Sequence, residues 1–156
     1  MWICRAGKDA SYINQVKEYG MIRLFWDGYG KDYTEVIDLK EFRNIVEAER
    51  GQFNKITISN WAAQLHAFCC EMKLNDYVLI PYYKAQSYML VRIIGKYEYH
   101  EKESFPHVRR VEIIKESIPK RIFPQDVIYS LNAFRTIYRV KKEDFILEII
   151  EQYREG

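Results

Sequence analysis

Hydrophobic positions recur along this chain with two periods, one typical of strands and one of helices. Short apolar runs bounded by Gly, Pro or Asp predict strands, at residues 1–7, 21–26, 76–83, 86–100, 107–114 and 135–140. Apolar residues three and four apart predict helices, at residues 9–20, 38–51, 59–74, 123–134 and 141–156. Short strands with helices packed around them indicate an α+β domain built on a curved sheet or a small barrel.

Several helix boundaries can be predicted from capping residues. Asp38, with Glu41 three residues later, forms the pattern of a capping box at the start of a helix. Asp9 or Ser11 is expected to cap the first helix, and Gly20 is expected to end it in a left-handed conformation.

The third predicted helix has one apolar stripe. Trp61, Leu65, Phe68 and Met72 follow one another at spacings of four, three and four, and Ser59 is expected to cap the helix. Trp61 therefore fits the core, although a tryptophan in the first turn of a helix is also a candidate wall of a pocket.

Length and charge restrict the class of protein. The 156 residues suit one domain, and a net charge of +2 means that any nucleic-acid site must be a local patch. The three cysteines, Cys4, Cys69 and Cys70, show no CxxC spacing, so we expect reduced thiols in a cytoplasmic protein and no zinc site. No signal peptide and no run of ~18 apolar residues is present, so no membrane partner is expected.

Aromatic residues are abundant, with 13 Tyr, 8 Phe and 3 Trp. Because a buried tyrosine needs a partner for its hydroxyl group, so many tyrosines indicate a ring-lined surface as well as a core; biased codon usage is the alternative explanation. Rings at the ends of predicted elements are candidate walls of a pocket for a flat base, where stacking contributes ~1–3 kcal/mol per base. These candidates are Trp26, Trp61, Tyr82, Tyr97 and Tyr99.

Basic side chains near these rings are candidate contacts to a nucleic-acid backbone. They are Arg5, Lys8, Lys84, His107, Arg109 and Arg110. Neighbouring residues in a strand point to opposite faces, so one of the two adjacent arginines should face inward. We expect Arg109 to face a cleft and meet a phosphate or a base edge, with Arg110 solvated. The alternative is an internal ion pair with Glu98 or Glu112.

Enzyme motifs are weak in this chain. No nucleophile elbow, phosphate-binding loop or HExxH motif occurs. Asp27, Asp38 and Lys40 resemble the carboxylate and lysine arrangement of metal-dependent nucleases, but a helix cap and a turn residue explain the two aspartates more simply. We therefore expect a binding module with no catalytic residue, metal or cofactor, and keep a metal-dependent nuclease as an alternative.

Four ordered blocks carry a resemblance to a known family. They read ICRAGKDASYINQVKEYGMIRLFW, ISNWAAQLHAFCCEMKLNDYVLIP, GKYEYHEKESFPHVRRVEI and IPKRIFPQDVIYSLNAFRTIYRV. Together they resemble the N-terminal domain of Mrr-like restriction system proteins, as far as about Val140. The most specific pieces are NWA at 60–62, FPHVR at 105–109 and FPQD at 123–126.

That domain in turn is similar to the EVE and YTH branch of the PUA-like superfamily. The tryptophan that ends the second strand recurs there and corresponds to Trp26. The resemblance implies a curved sheet or partly open β-barrel flanked by helices. It also implies an aromatic cage that holds a flipped or unpaired modified base, such as N6-methyladenine or 5-methylcytosine. The YTH cage has further tryptophans where this chain has YEYHEKESF, so Tyr97, Tyr99 and Trp61 are the candidates for the remaining walls.

The function implied by the resemblance is that of a DNA-binding reader that directs a restriction nuclease domain or subunit to modified DNA. Residues 1–140 would form the base-binding domain, and residues 141–156 an amphipathic helix that leads onward or ends the chain. Because the nuclease domain of such proteins is absent here, we expect a fragment or a stand-alone reader. An RNA-binding module that reads a modified nucleotide and an assembly module that pairs through the helix at 143–152 are the alternatives.

Overall fold

The computed structural model describes residues 1–133 and 135–153. Its strands are β1 (Trp2–Cys4), β2 (Met21–Arg23), β3 (Tyr77–Tyr82), β4 (Ser87–Tyr99), β5 (His107–Pro119) and β6 (Ile137–Arg139). Its α-helices are α1 (Ile13–Tyr19), α2 (Leu39–Arg50), α3 (Lys55–His66), α4 (Gln125–Ser130) and α5 (Glu143–Gln152). Short 3₁₀ turns occupy Lys8–Ala10, Tyr83–Ala85 and Lys120–Ile122, and α3 continues as a π-helical segment, Ala67–Glu71.

The six strands form one sheet in the order β2-β5-β4-β3-β1-β6. β1 runs parallel to β3, and every other neighbouring pair is antiparallel. The sheet curls into a half-barrel flanked by helices, which confirms the predicted α+β class and the curved sheet.

Alternate residues of the strands supply two apolar cores, one on each face of the sheet. Val78, Ile80 and Val91 belong to the core that α1, α2 and α3 cover. Leu79 and Leu90 belong to the core that α4 and α5 cover. At β3 and the first half of β4 both faces are therefore protected from water, which explains the nearly continuous apolar runs there.

Helix α5 packs on this second core rather than projecting from the domain. Ile146 and Ile150 are buried, and the ammonium group of Met1 pairs with Glu143 at 2.9 Å. The apolar stripe on which the assembly-module alternative depends is therefore partly covered by the chain itself, while Phe145 stays exposed. The last three residues of the predicted helix, 154–156, lie outside the described residues.

Caps were only partly predicted. The Asp38 cap is confirmed, since its Oδ1 accepts the Lys40 N–H at 3.0 Å, and Gly20 ends α1 in the left-handed region with φ 64°. The N-cap of α3 is Asn54, five residues before the predicted cap Ser59, and its side chain accepts the Thr57 N–H at 2.9 Å. Asp9 and Ser11 do not cap α1, since the chain between β1 and α1 forms a tight turn instead.

Strands β2 and β5, which are neighbours in the sheet, differ in length from the prediction. β2 ends at Arg23, so Trp26 lies in the segment after the strand rather than at its end. β5 continues to Pro119, because it pairs with β4 from Tyr99↔His107 to Ser87↔Pro119. The second half of β5 contains several charged residues, so a prediction based on apolar runs did not include it. Phe134, at the end of the predicted fourth helix, lies outside the described residues.

In the described part of the chain, no helix combines the length and the apolar character needed to cross a bilayer.

Candidate nucleic-acid interface

One cavity of about 410 Å³ brings Trp26 together with basic side chains. It opens between the turn after β1, the segment after β2 and the end of β3. We call it the Trp26 cavity. Its lining residues are Arg5, Gly7, Lys8, Asp9, Ala10, Phe25, Trp26, Pro81, Tyr83 and Thr136.

One wall of the Trp26 cavity is a turn with several residues in the left-handed region. Gly7, Asp9 and Ala10 have φ values of 79°, 54° and 57°. A Cβ atom at Gly7 would lie 2.4 Å from Cδ2 of Tyr12, so only glycine fits there. The turn is closed by the Tyr12 N–H, which donates to the Ala6 carbonyl at 2.9 Å. Its shape therefore depends on Gly7.

The opposite wall is the half-buried ring of Trp26. Its Nε1–H donates to Thr136 Oγ1 at 3.4 Å, and its ring lies 5.7 Å from that of the buried Tyr29. The adjacent Phe25 stacks on Tyr12 with a centroid distance of 4.5 Å. These contacts orient the indole while part of it remains exposed to the cavity.

Positive charge lines the remaining sides. Arg5 donates to the Ala133 carbonyl at 2.6 Å, and its guanidinium lies 5.6 Å from the centroid of the Tyr83 ring. Lys8 is exposed at the rim. An adjoining cleft shares Lys8 with the cavity and contains Tyr82 and Lys84. An aromatic wall flanked by cations suits a planar group attached to a phosphate.

Five predicted site residues therefore lie close together: Arg5, Lys8 and Trp26 in the cavity, and Tyr82 and Lys84 in the adjoining cleft. The other aromatic candidates lie elsewhere. Trp61 packs at the α2–α3 hairpin, where the Arg50 guanidinium lies 4.6 Å from its ring centroid and Phe53 meets it edge-on. The Tyr99 hydroxyl donates to the Gly30 carbonyl at 2.6 Å, and Tyr97 lines a different cavity. In this structure, Trp61, Tyr97 and Tyr99 are not walls of the Trp26 cavity.

His107 was predicted to contact a phosphate, but it is buried, with 1% of its surface exposed. Its Nε2–H donates to the Tyr29 carbonyl at 2.5 Å, its Nδ1 accepts from the Tyr97 hydroxyl at 2.6 Å, and its ring stacks on Tyr33. Burial lowers the pKa of His107, so the neutral imidazole is the folded form. The expected phosphate contact is wrong, because both ring nitrogens are occupied inside the fold.

The buried imidazole makes stability depend on pH. The pKa of His107 is lower in the folded protein than in the unfolded chain, so the unfolded chain binds more protons below about pH 6.5. We expect the stabilising contribution to be full above about pH 6.5 and to be lost as the pH falls. Urea unfolding between pH 7.5 and 5.5 should show a steeper loss for the wild type than for His107→Gln. Equal slopes would contradict this prediction.

Arg109 and Arg110 confirm the predicted alternation. Arg109 is the inward residue, 3% exposed, and it donates to the carbonyl groups of Phe68, Met72 and Gly95. It lines a cavity, but not the Trp26 cavity, and its contact with a phosphate or a base edge stays a prediction.

Arg110 is the exposed partner, as predicted, and it pairs with Glu98 at 2.8 Å. The carboxylates considered as internal partners of Arg109 therefore have other partners, since Glu112 pairs with Arg92. Arg110 lies away from the Trp26 cavity and is not one of its lining residues.

Sequence reasoning missed most of the cavity wall. The unpredicted lining residues are Gly7, Asp9, Ala10, Phe25, Pro81, Tyr83 and Thr136. The adjacent pair Tyr82 and Tyr83 carried a usable signal, because both rings come at the end of a predicted strand, where clefts form. Thr136 gave no signal, since it is far from Trp26 in sequence.

Two residues of the nuclease alternative have contacts that belong to the fold. Asp38 caps α2, and the Asp27 carbonyl accepts from Arg50 at 3.5 Å. Within residues 1–133 and 135–153, no cluster of three or more His, Cys, Asp or Glu side chains has an arrangement that could hold a metal ion.

The fold and the site define an α+β protein in which a curled six-stranded half-barrel carries a cavity with aromatic and basic walls. Residues 2–141 match a protein family described as a domain of unknown function, DUF8426, and the chain belongs to that family. No match was found among curated proteins or among solved structures.

Proposed function

We propose that this protein is a PUA-like reader module of the EVE and YTH type that binds a modified base of DNA in the Trp26 cavity. The observation that carries the proposal is the half-buried Trp26 ring on the wall of an open cavity that also contains Arg5 and Lys8. The resemblance to the N-terminal domain of Mrr-like restriction system proteins supports the same reading. The module would act in the cytoplasm, without catalysis of its own, and would direct a restriction nuclease domain or subunit to modified DNA.

The size and chemistry of the Trp26 cavity support a base as its ligand. Small-molecule sites usually measure about 300–1,000 Å³, and a cavity of about 410 Å³ is at the small end of that range. The indole of Trp26 would stack on the base, and Pro81 and Phe25 would supply apolar contacts for a methyl group. Arg5 and Lys8 would hold the phosphates on either side of the extruded nucleotide.

Extracting a base from a duplex costs a few kcal/mol. Stacking contributes ~1–3 kcal/mol per base. Stacking on Trp26 alone would therefore only about balance the cost of extracting the base, with no free energy left for net binding. Contacts between phosphates and Arg5, Lys8 and, in the adjoining cleft, Lys84 would supply the rest. Binding should therefore weaken as salt rises, because each neutralised phosphate releases counterions.

Replacing Trp26 by Ala should abolish discrimination between modified and unmodified DNA. Fluorescence anisotropy would compare matched duplexes that carry adenine, N6-methyladenine, cytosine, 5-methylcytosine or 5-hydroxymethylcytosine. We expect the wild type to prefer one modified duplex at least tenfold, about 1.4 kcal/mol, and Trp26→Ala to bind all five equally.

Trp61→Ala is the matched control, because Trp61 is also a half-buried tryptophan but lies outside the cavity. It should keep the preference of the wild type. Equal, salt-sensitive binding of the wild type to all duplexes would mean attraction to phosphate alone and would overturn the proposal. Selective binding to a single-stranded RNA with N6-methyladenine, and none to DNA, would favour the RNA-binding alternative.

A further inference from the structure

A second cavity, of about 650 Å³, shares no lining residue with the Trp26 cavity. It lies between the segment before α2, the π-helical segment after α3 and strand β4. Its walls include Tyr33, Val36, Met72, Leu74, Tyr97 and Arg109. We call it the Arg109 cavity, after the buried arginine in its wall; the lysines that also line it, Lys73 and Lys96, are exposed.

Two irregularities of the backbone converge on the Arg109 side chain. The π-helical segment presents the Phe68 carbonyl to Nη1 at 3.0 Å, and the Met72 carbonyl accepts from the same nitrogen at 2.9 Å. The bulge of β4 between Ile93 and Tyr97 turns the Gly95 carbonyl toward Nε at 3.1 Å. Such local departures from regular structure are frequent at functional sites. Here they hold the guanidinium in one orientation.

The second terminal nitrogen of Arg109 is left without a protein acceptor. Within residues 1–133 and 135–153, Nη2 makes no hydrogen bond, although it carries two N–H donors. It is also not one of the fully enclosed polar atoms that lack a partner. Since Arg109 lines the cavity, Nη2 is the guanidinium nitrogen whose donors remain for a ligand there.

The positive charge of Arg109 also lacks a neighbouring counter-charge. No carboxylate of the described residues lies within 4.0 Å of it. Asp76 acts only at longer range, and its Oδ2 already accepts from the Trp2 indole and from the Lys73 N–H. Burial raises the pKa of the Cys69 thiol, so that thiol is neutral. Buried charges in proteins are normally paired, which makes an unpaired arginine at the wall of a cavity unusual.

We propose that the Arg109 cavity binds a small organic anion whose oxyanion accepts from Nη2 of Arg109 and whose apolar or aromatic body lies among Tyr33, Val36 and Leu74. The walls are mainly apolar, so a bare inorganic ion would leave most of the cavity unfilled. Lys73 and Lys96 are exposed at the rim and add positive charge at the entrance. A carboxylate and a phosphate monoester share this chemistry. The inference does not depend on base recognition in the Trp26 cavity.

The test uses titration of the whole chain by ¹H–¹⁵N NMR with defined probes. Benzoate and hexanoate represent carboxylates, phenyl phosphate represents phosphate monoesters, and benzamide and hexanamide are their neutral counterparts. We expect at least one anion to bind tenfold or more tightly than its neutral counterpart. The signals of the Arg109 Nε–H and the Leu74 amide should shift, while the Trp26 indole signal stays in place.

Variants separate charge from packing. Lys96→Ala should weaken binding of the anion only a few-fold, because Lys96 is exposed at the rim. Arg109→Lys should weaken it at least tenfold if that variant folds, whereas Arg110→Gln, at the exposed neighbouring position, should bind like the wild type. If Arg109→Lys does not fold, the wild-type titrations decide the question.

Three results would overturn this proposal. The first is that no anion binds at a probe concentration of about 10 mM, which would detect dissociation constants as weak as the millimolar range. The second is equal binding of acid and amide, which would show a merely apolar pocket. The third is a set of shifts centred on Trp26 and Arg5, which would assign the anion to the other cavity. Preference for phenyl phosphate over both carboxylates would support the proposal and identify the phosphate monoester as the ligand class.

Discussion

Replacing Arg109 by Met should lower the free energy of unfolding by about 3–5 kcal/mol. The substitution removes the donors for the buried carbonyl groups of Phe68, Met72 and Gly95. An acceptor left unsatisfied in the core costs about 1–3 kcal/mol, and the losses add incompletely because the three carbonyls share one donor group. Urea unfolding followed by tryptophan fluorescence at pH 7.5 would measure the change.

Arg110→Met is the matched control for this prediction. It removes an arginine from the next position in the same strand, where the side chain is half-exposed and pairs with Glu98 on the surface. Surface ion pairs contribute about 0–1 kcal/mol, so this variant should unfold close to the wild type. A similar loss for both variants would mean that burial and carbonyl contacts are not the reason for the destabilisation.

Replacing Gly7 by Ala should destabilise the fold by about 2–3 kcal/mol and also impair ligand binding in the Trp26 cavity. The new Cβ would lie 2.4 Å from Cδ2 of Tyr12, and φ of 79° is unfavourable for an L-residue. Relief of the clash must move the turn or the Tyr12 ring, and the turn is a wall of the cavity. Thermal unfolding and binding to the preferred modified duplex would be measured on the same sample.

Gly30→Ala is the control for the glycine substitution. A Cβ at Gly30 meets no atom within 4 Å, and its φ is not in the left-handed region. This variant should therefore match the wild type in both stability and binding. If Gly7→Ala were as stable as Gly30→Ala, the turn at residues 7–10 would be too compliant to set the shape of the cavity.

The periodicity of the chain was sufficient to predict most of the elements. Apolar runs located β3 and β4, and the stripe of Leu65, Phe68 and Met72 is buried as the spacing indicated. Local capping chemistry was equally informative at Asp38, where one side chain and one backbone N–H decide the start of α2. These features depend on residues near one another in sequence, so the sequence alone carries the relevant physics.

The sites depended on contacts that no local pattern encodes. Alternation showed that one of Arg109 and Arg110 must point inward, but it could not show that the inward guanidinium binds three backbone carbonyl groups at the wall of a cavity other than the Trp26 cavity. Those carbonyls come from the π-helical segment and from a bulge of β4, distant from Arg109 in sequence. The same holds for the Trp26 cavity, which is lined both by Thr136 and by a turn at residues 7–10.

By itself, then, the sequence determined the α+β class, the curved sheet, most helices and the inward position of one arginine. The tertiary structure decided which aromatic rings share a cavity, which basic side chains are free to bind and which are buried as structural donors. The physical reason is the distance along the sequence over which each kind of interaction acts. Propensity, capping and periodicity act over a few residues, whereas a cavity is formed by segments that only the folded sheet brings together.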